Sequence, residues 1–249
     1  MLSIGLPLRW IRMIKFFKTS KLIYVFALLA LSFSYTSNLE AQDSSKPKKQ
    51  VKYKKARALQ SSTAKKMAKV YEALEVVNEK GEPSPDMQVV IEILTALMND
   101  KENLKSYDRS VMWNTWGYVY FSDGKYDEAI RAYENLLSEP EVTIPLRTSA
   151  LLTLAQLNLV KERYQKGVDL LLMWMEEVET ITAQSWSLLG QAYFQLGDYK
   201  KSRSSMETAI NLAETEGYKP KENWYVIIAA CIGELKKEIG EKKALLLQL

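Results

Sequence analysis

The sequence predicts an all-α, right-handed α-solenoid of about ten helices stacked as pairs. Three observations predict it. Large apolar and aromatic residues recur at Trp113, Leu151, Trp186 and Trp224, steps of 38 (113 to 151), 35 (151 to 186) and 38 (186 to 224). Small residues stand at matching points of successive helical stretches, at Gly117 and Ala129, then at Gly190 and Ser202. Glycines at 124 and 197 fall where one stretch gives way to the next. Self-similarity at such a period is the mark of a stacked-repeat architecture. Each unit buries its apolar face only against its neighbours.

In chain order, the first element is a targeting segment. Residues 1–42 carry a net charge of +4, residues 43–69 carry +9 and residues 70–249 carry −9, within a 249-residue chain of net charge +4. A basic stretch ends at Lys21, and an uncharged apolar run follows from Leu22 to Phe33. As a helix that run rises about 18 Å, short of a hydrocarbon core of about 30 Å. Small and polar residues then lead to Ala41, a side chain that suits signal peptidase. Residues 1–42 are therefore expected to be a signal peptide, with an uncleaved anchor as the alternative. Met13-Ile14-Lys15 alone would open a signal of ordinary form. With no cysteine near the apolar run, a lipid anchor is not expected.

A basic flexible arm is expected over 43–55, running into a solenoid over 56–249. Its cations include Lys48, Lys49, Lys52, Lys54, Lys55 and Arg57. A leading, degenerate pair is expected over 56–105, with Tyr71, Leu74 and Val77 on one segment and Val90, Leu94 and Leu97 on the next. Gly81-Glu82-Pro83-Ser84-Pro85 supplies the turn between them. Clear repeats follow at about 110–142, 148–180, 183–217 and 221–249. In the first, Trp113, Trp116-Gly117, Tyr120, Gly124, Tyr126, Ala129 and Tyr133 set the pattern. Trp186, Leu189-Gly190, Tyr193, Gly197, Tyr199, Ser202 and Met206 repeat it, and Leu151, Leu154-Ala155, Tyr164, Gly167 and Leu171 form a weaker copy between them.

This pattern resembles the tetratricopeptide repeat, whose period is about 34 residues. On that reading Gly117 faces Ala129 and Gly190 faces Ser202, where two helix backbones approach closely. Tyr120, Tyr126 and Tyr133 are expected to fill the wedge between one pair and the next. Gly124 and Gly197 suit a left-handed helix end, and Asp198 suits the cap of the following helix.

Stacked pairs curve, and the first helix of each pair lines the concave side. The residues expected there are Asn114, Tyr118 and Phe121, then Leu152, Gln156 and Leu159, then Ser187, Gln191 and Phe194, and finally Tyr225 with Ala229 and Ile232. This face has amides and aromatics but no cation, so a clamp for a peptide carboxylate is not expected. An extended peptide or amphipathic helix fits it. The competing reading is that the chain's own leading helix covers part of the face.

Composition excludes much chemistry. The chain has no histidine and one cysteine, Cys231. His-based triads, His-ligated metals, intramolecular disulfides and thiolate clusters are absent by inventory. No catalytic set, metal site or cofactor site is expected, and paired acids such as Glu176-Glu177 are read as solvated surface. Cys231 is expected to be a buried, inert thiol. The basic arm admits contact with anionic lipid, an acidic protein partner, attraction to the acidic body in cis, or a plain solvated tether. Nucleic acid is not expected as a partner.

Certain strings resemble one narrower group. They are Trp113-Asn114 with Gly117-Tyr118-Val119-Tyr120-Phe121, Leu152-Thr153-Leu154-Ala155-Gln156-Leu157, Leu188-Leu189-Gly190-Gln191-Ala192-Tyr193, and Lys219-Pro220-Lys221-Glu222-Asn223-Trp224-Tyr225. They are similar to periplasmic tetratricopeptide proteins described as components of TonB systems, over roughly residues 50–240. The resemblance implies a non-enzymatic accessory to TonB–ExbB–ExbD energy transduction for nutrient or iron uptake, holding TonB, ExbD or a receptor segment. A Tol-Pal and cell-wall-synthesis adaptor, or a general peptide chaperone, are the alternatives. The Leu-rich end, Leu245 to Leu249, is expected to pack back on the last pair or to make a homodimer or partner contact.

Overall fold

The chain divides into two units, Met1–Lys54 and Lys55–Leu249, and the computed structural model describes residues 57–246 of the second, with side chains to residue 241. The expected signal peptide, the arm cations before Arg57 and the side chains of the Leu-rich end lie outside the described residues. The described residues form nine α-helices and no β-strand. Among them, no helix is long and apolar enough to cross a membrane.

The helices are α1 (Ser61–Leu74), α2 (Met87–Asn99), α3 (Ser106–Ser122), α4 (Tyr126–Ser138), α5 (Ile144–Val160), α6 (Tyr164–Glu177), α7 (Ala183–Leu196), α8 (Tyr199–Thr215) and α9 (Glu222–Leu246). They pack as antiparallel neighbours, α1 on α2, α3 on α4, α5 on α6 and α7 on α8, with each second helix packed on the next first helix. This is an α-solenoid of helix pairs. Among the described residues nine helices stand where about ten are expected, the last repeat being a single 25-residue helix. Gly233 and Gly240 sit inside it with ordinary helical torsions, so neither breaks the chain into a pair.

The leading pair stacks on the end of the series. Met67, Val70 and Ala73 of α1 meet Val90, Leu94 and Leu97 of α2, and the cluster continues into Met112, Trp116 and Val119 of α3. Burying each of the Met, Val and Leu side chains stabilises the fold by about 1.5–3 kcal/mol. The turn between α1 and α2 carries Gly81 at φ 76° and a single bridge between Val77 and Pro83. At the other end, Trp224 of α9 packs into a cluster with Met206, Ala209 and Ala213 of α8 and Ala183 of α7.

Turn chemistry follows the repeat register. Gly124 and Gly197 have φ of 71° and 79°, the left-handed conformation that closes a helix. In the second pair the same register position holds Glu162, at φ 59°. All three turns close alike: the amides of Lys125, Arg163 and Asp198 donate to the carbonyls of Tyr120, Asn158 and Tyr193. Asp198 caps α8 by accepting from the Lys201 amide at 3.1 Å.

Candidate functional site

The helix crossings fix which faces remain open. In the third pair the Ser202 hydroxyl donates to the Gly190 carbonyl at 2.7 Å, and a Cβ on Gly190 would lie 3.2 Å from the Ser202 carbonyl oxygen. Small residues at both points let these backbones touch. In the second pair the small partner is Gly167, against the Ala155 carbonyl and the Leu159 side chain. In the first pair the atoms nearest to where a Cβ on Gly117 would stand belong to the Tyr133 ring, the closest at 2.6 Å. Tyr133 therefore reaches into the space inside its own pair, as Met206 does over Gly190. Burial drives the Tyr133 phenol well above its ordinary pKa, with the nearby Tyr118 adding to the shift. Tyr120 stacks on Trp116, one turn earlier on α3, at 5.0 Å between ring centroids.

The ten residues expected on the concave face divide into three groups. Asn114, Tyr118, Leu152 and Gln191 are half-buried on α3, α5 and α7, and Tyr225 on α9 is exposed. Gln156 and Ser187 are buried, at 7% and 5% exposure. Ser187 Oγ lies 3.4 Å from the Gln191 amide nitrogen, which donates along the helix.

Phe121, Leu159 and Phe194 are half-buried as well and make contacts within their own pairs. Phe121 packs on Tyr126 at 5.7 Å and Phe194 on Tyr199 at 5.5 Å, each ring bridging the turn from a first helix to the second. Leu159 lies over Gly167. These three serve the junction inside each pair. Their one-turn offset from the face residues looks the same in sequence, so spacing could not separate the two roles. The leading helix α1 packs against α2 and shares its core with α3 at the end of the stack.

The surface opposite has a different chemistry. Between α4 and α6 a shallow depression is lined by Asp127, Glu128, Ile130, Arg131, Glu134, Arg163 and Lys166. Asp127 accepts from Lys161 and from Arg163, both at 2.8 Å, and Glu134 accepts from Lys166 at 2.6 Å. These pairs tie one helix pair to the next and match each cation with a carboxylate. Sequence reading missed this lattice, because its partners are 32 to 36 residues apart.

Arg57, the first described residue of the arm, pairs with Glu141 at 2.8 Å on the loop after α4. Three residues on, the Gln60 amide donates to Asp108 Oδ1 at 3.0 Å, and Gln60 Oε1 accepts from the Lys105 amide. The entry to the solenoid is thus strapped to the start of α3. Cys231 is fully buried, with Sγ 3.3 Å from Ser202 Oγ, and burial pushes its thiol above the ordinary value. Among the described residues, no group of three His, Cys, Asp or Glu side chains is placed to hold a metal ion.

Comparison with known proteins agrees with this geometry. Residues 114–177 and 183–216 each match a family model described as tetratricopeptide repeat. A tetratricopeptide repeat protein from Parabacteroides merdae is similar in structure at a TM-score of 0.54 and 20% identity, over 70% of this chain and 61% of that one. MamA from Desulfovibrio magneticus gives 0.52 and 15%, over 77% and 97%, and the apo form of RapI gives 0.54 and 13%, over 71% and 65%. These likenesses concern the fold. In sequence, the chain is 27% identical over 110 residues to the general transcriptional corepressor trfA of Dictyostelium discoideum, a match covering 43% of this chain and 7% of that protein. The helix pairs over the matched residues are tetratricopeptide repeats.

Proposed function

We propose that this protein is a non-enzymatic scaffold that holds a protein segment on the face formed by its first helices. Its setting on this reading is the periplasm, as an accessory to TonB–ExbB–ExbD energy transduction in nutrient or iron uptake. The observation that carries the scaffold reading is the row of half-buried and exposed side chains Asn114, Tyr118, Leu152, Gln191 and Tyr225 on four successive first helices. The TonB setting is supported by the strings around Trp113, Leu152, Gly190 and Trp224, and the periplasmic setting by the leader-like residues 1–42.

The test is photo-crosslinking in intact envelopes with the crosslinker at Gln191 or Tyr225. Adducts to TonB, ExbD or an outer-membrane receptor are expected. Adducts to TolA or a wall synthase would replace this setting with the Tol-Pal adaptor, and absence of any adduct from this face would remove the scaffold reading.

A further inference from the structure

The scaffold reading leaves the chemistry of the held segment open, and charge placement narrows it. The first helices α3, α5 and α7 contain three charged residues, Asp108, Arg109 and Arg147, all in their first turns. Each is engaged within the fold. Asp108 is buried and accepts from the Gln60 amide, Arg109 pairs with Glu139, and Arg147 pairs with Glu177. Beyond those turns, residues 110–122, 148–160 and 183–196 contain no charge. The second helices α4, α6 and α8 carry thirteen, those of α4 and Lys166 of α6 among the ionic groups described above.

What the first-helix face offers instead is amides. On α7, Gln184, Gln191 and Gln195 fall at spacings of seven and four residues, one row along the helix, with Gln184 and Gln195 exposed. Asn114 stands on the same side of α3. A primary amide both donates and accepts, as a peptide unit does, so such a row matches main-chain groups of an extended segment. A Lys or Glu brought onto the face along α3, α5 and α7 would lose water and find no counter-ion beyond their first turns, which is unfavourable. Charge re-enters at the α9 end, where Glu214 lies 3.4 Å from the Tyr225 hydroxyl.

We infer that the segment held on this face is an uncharged, extended polypeptide stretch recognised largely through its backbone amides. This deepens the scaffold reading and rests on it. Its binding is therefore insensitive to salt, unlike that of a segment gripped by ion pairs.

The experiment uses the full chain as bait for a random 12-residue peptide library displayed on phage. Recovered peptides are synthesised and competed against the crosslinker at Gln191. Expected peptides are depleted at their centres of Lys, Arg, Asp and Glu by at least about fivefold relative to the input library. Their affinity changes less than about twofold between 0.05 and 0.5 M NaCl, and Gln184→Lys weakens them by about tenfold or more. Gln184 is exposed, so that variant keeps the fold, and Gln195→Lys gives an independent second reading. Peptides that compete at Gln191 but carry central charges, or that release in salt, overturn the inference and leave the scaffold reading standing. If no peptide competes at Gln191 while partner crosslinking there persists, the inference also fails. Loss of both removes the scaffold reading itself.

Discussion

Arg109 holds Glu139 with two parallel hydrogen bonds, Nε to Oε1 at 2.7 Å and Nη2 to Oε2 at 2.8 Å. The same relationship recurs 38 residues on, where Arg147 Nε donates to both carboxylate oxygens of Glu177 at 2.8 and 3.0 Å. Each pair ties the start of a first helix to the end of its second, across an interval of 30 residues. Glu139 and Glu177 sit at helix C-termini, where the dipole disfavours a carboxylate. The guanidinium offsets that cost.

Removing the carboxylate should therefore matter more here than at the surface. The Glu139 side chain is 10% exposed and Arg109 is 27% exposed, so Glu139→Ala leaves a half-buried cation unpaired. The expected loss is about 1–3 kcal/mol in urea unfolding. Glu128→Ala, which breaks the exposed pair with Arg131, should change stability by no more than about 0.5 kcal/mol. Equal effects would show that the Arg109 clamp is ordinary surface charge.

The glycines should separate into two kinds. At Gly117 a Cβ would strike the Tyr133 ring at 2.6 Å, so Gly117→Ala is expected to destabilise by about 1–3 kcal/mol through overpacking. Tyr133→Leu should recover part of that loss. At Gly124 nothing lies within 4 Å of a Cβ, and the cost of Gly124→Ala is the left-handed backbone alone, about 1 kcal/mol. No core substitution should recover it. Thermal unfolding of the two single variants and the Gly117→Ala/Tyr133→Leu double variant checks both expectations.

Much of the solenoid was legible because each rule acts locally. Gly124, Gly197 and Asp198 announce turns and a cap within a few residues, and the 38- and 35-residue steps place the pairs. Three things were not legible. Phe121 and Phe194 share the helical spacing of the open-face residues, and only three-dimensional packing shows their rings turned onto Tyr126 and Tyr199. The salt-bridge lattice joins residues about one repeat apart, and helical periodicity does not register such pairs. Finally, α9 shows the first-helix pattern at Trp224 and Ile227-Ile228, yet nothing in that string tells whether a second helix follows. The absence of charge from the open face was visible as a missing cation, but its full extent emerged once Asp108, Arg109 and Arg147 were seen to be engaged.

Glu162 exposes a local conflict between sequence and fold. It occupies the left-handed position that glycine holds at 124 and 197, with φ 59°. For a residue with a Cβ that conformation costs roughly 1–2 kcal/mol. Glu162→Gly is expected to raise stability by about 0.5–1 kcal/mol, part of the gain being lost to the freer unfolded chain. A fall in melting temperature would mean that the Glu162 side chain contributes more than its backbone strain removes.

Acid should loosen the contact between the first and second clear pairs. The hydrogen bond from Lys161 holds the Asp127 carboxyl below its ordinary 3.8, with the charges of Lys161 and Arg163 adding to it and desolvation opposing. A carboxyl lowered in the folded state stabilises the fold above its unfolded value. That contribution is lost as pH falls through the folded value. The melting temperatures of the protein and of Asp127→Asn should accordingly differ at neutral pH and converge below about pH 3.8. A gap that stays constant through the acid range would contradict the assignment.

The most direct test of the central claim compares one new charge on each side of the solenoid. Gln191→Lys places it on the open first-helix face, and Asn211→Lys places it on exposed α8. The quantity measured is capture of the crosslinked partner from envelopes, with helicity checked by circular dichroism. Gln191→Lys is expected to reduce capture by about tenfold or more, since the incoming charge has no counter-ion along α3, α5 and α7, while Asn211→Lys leaves capture unchanged. Capture that survives Gln191→Lys and falls with Asn211→Lys would place binding on the ionic side and contradict that claim.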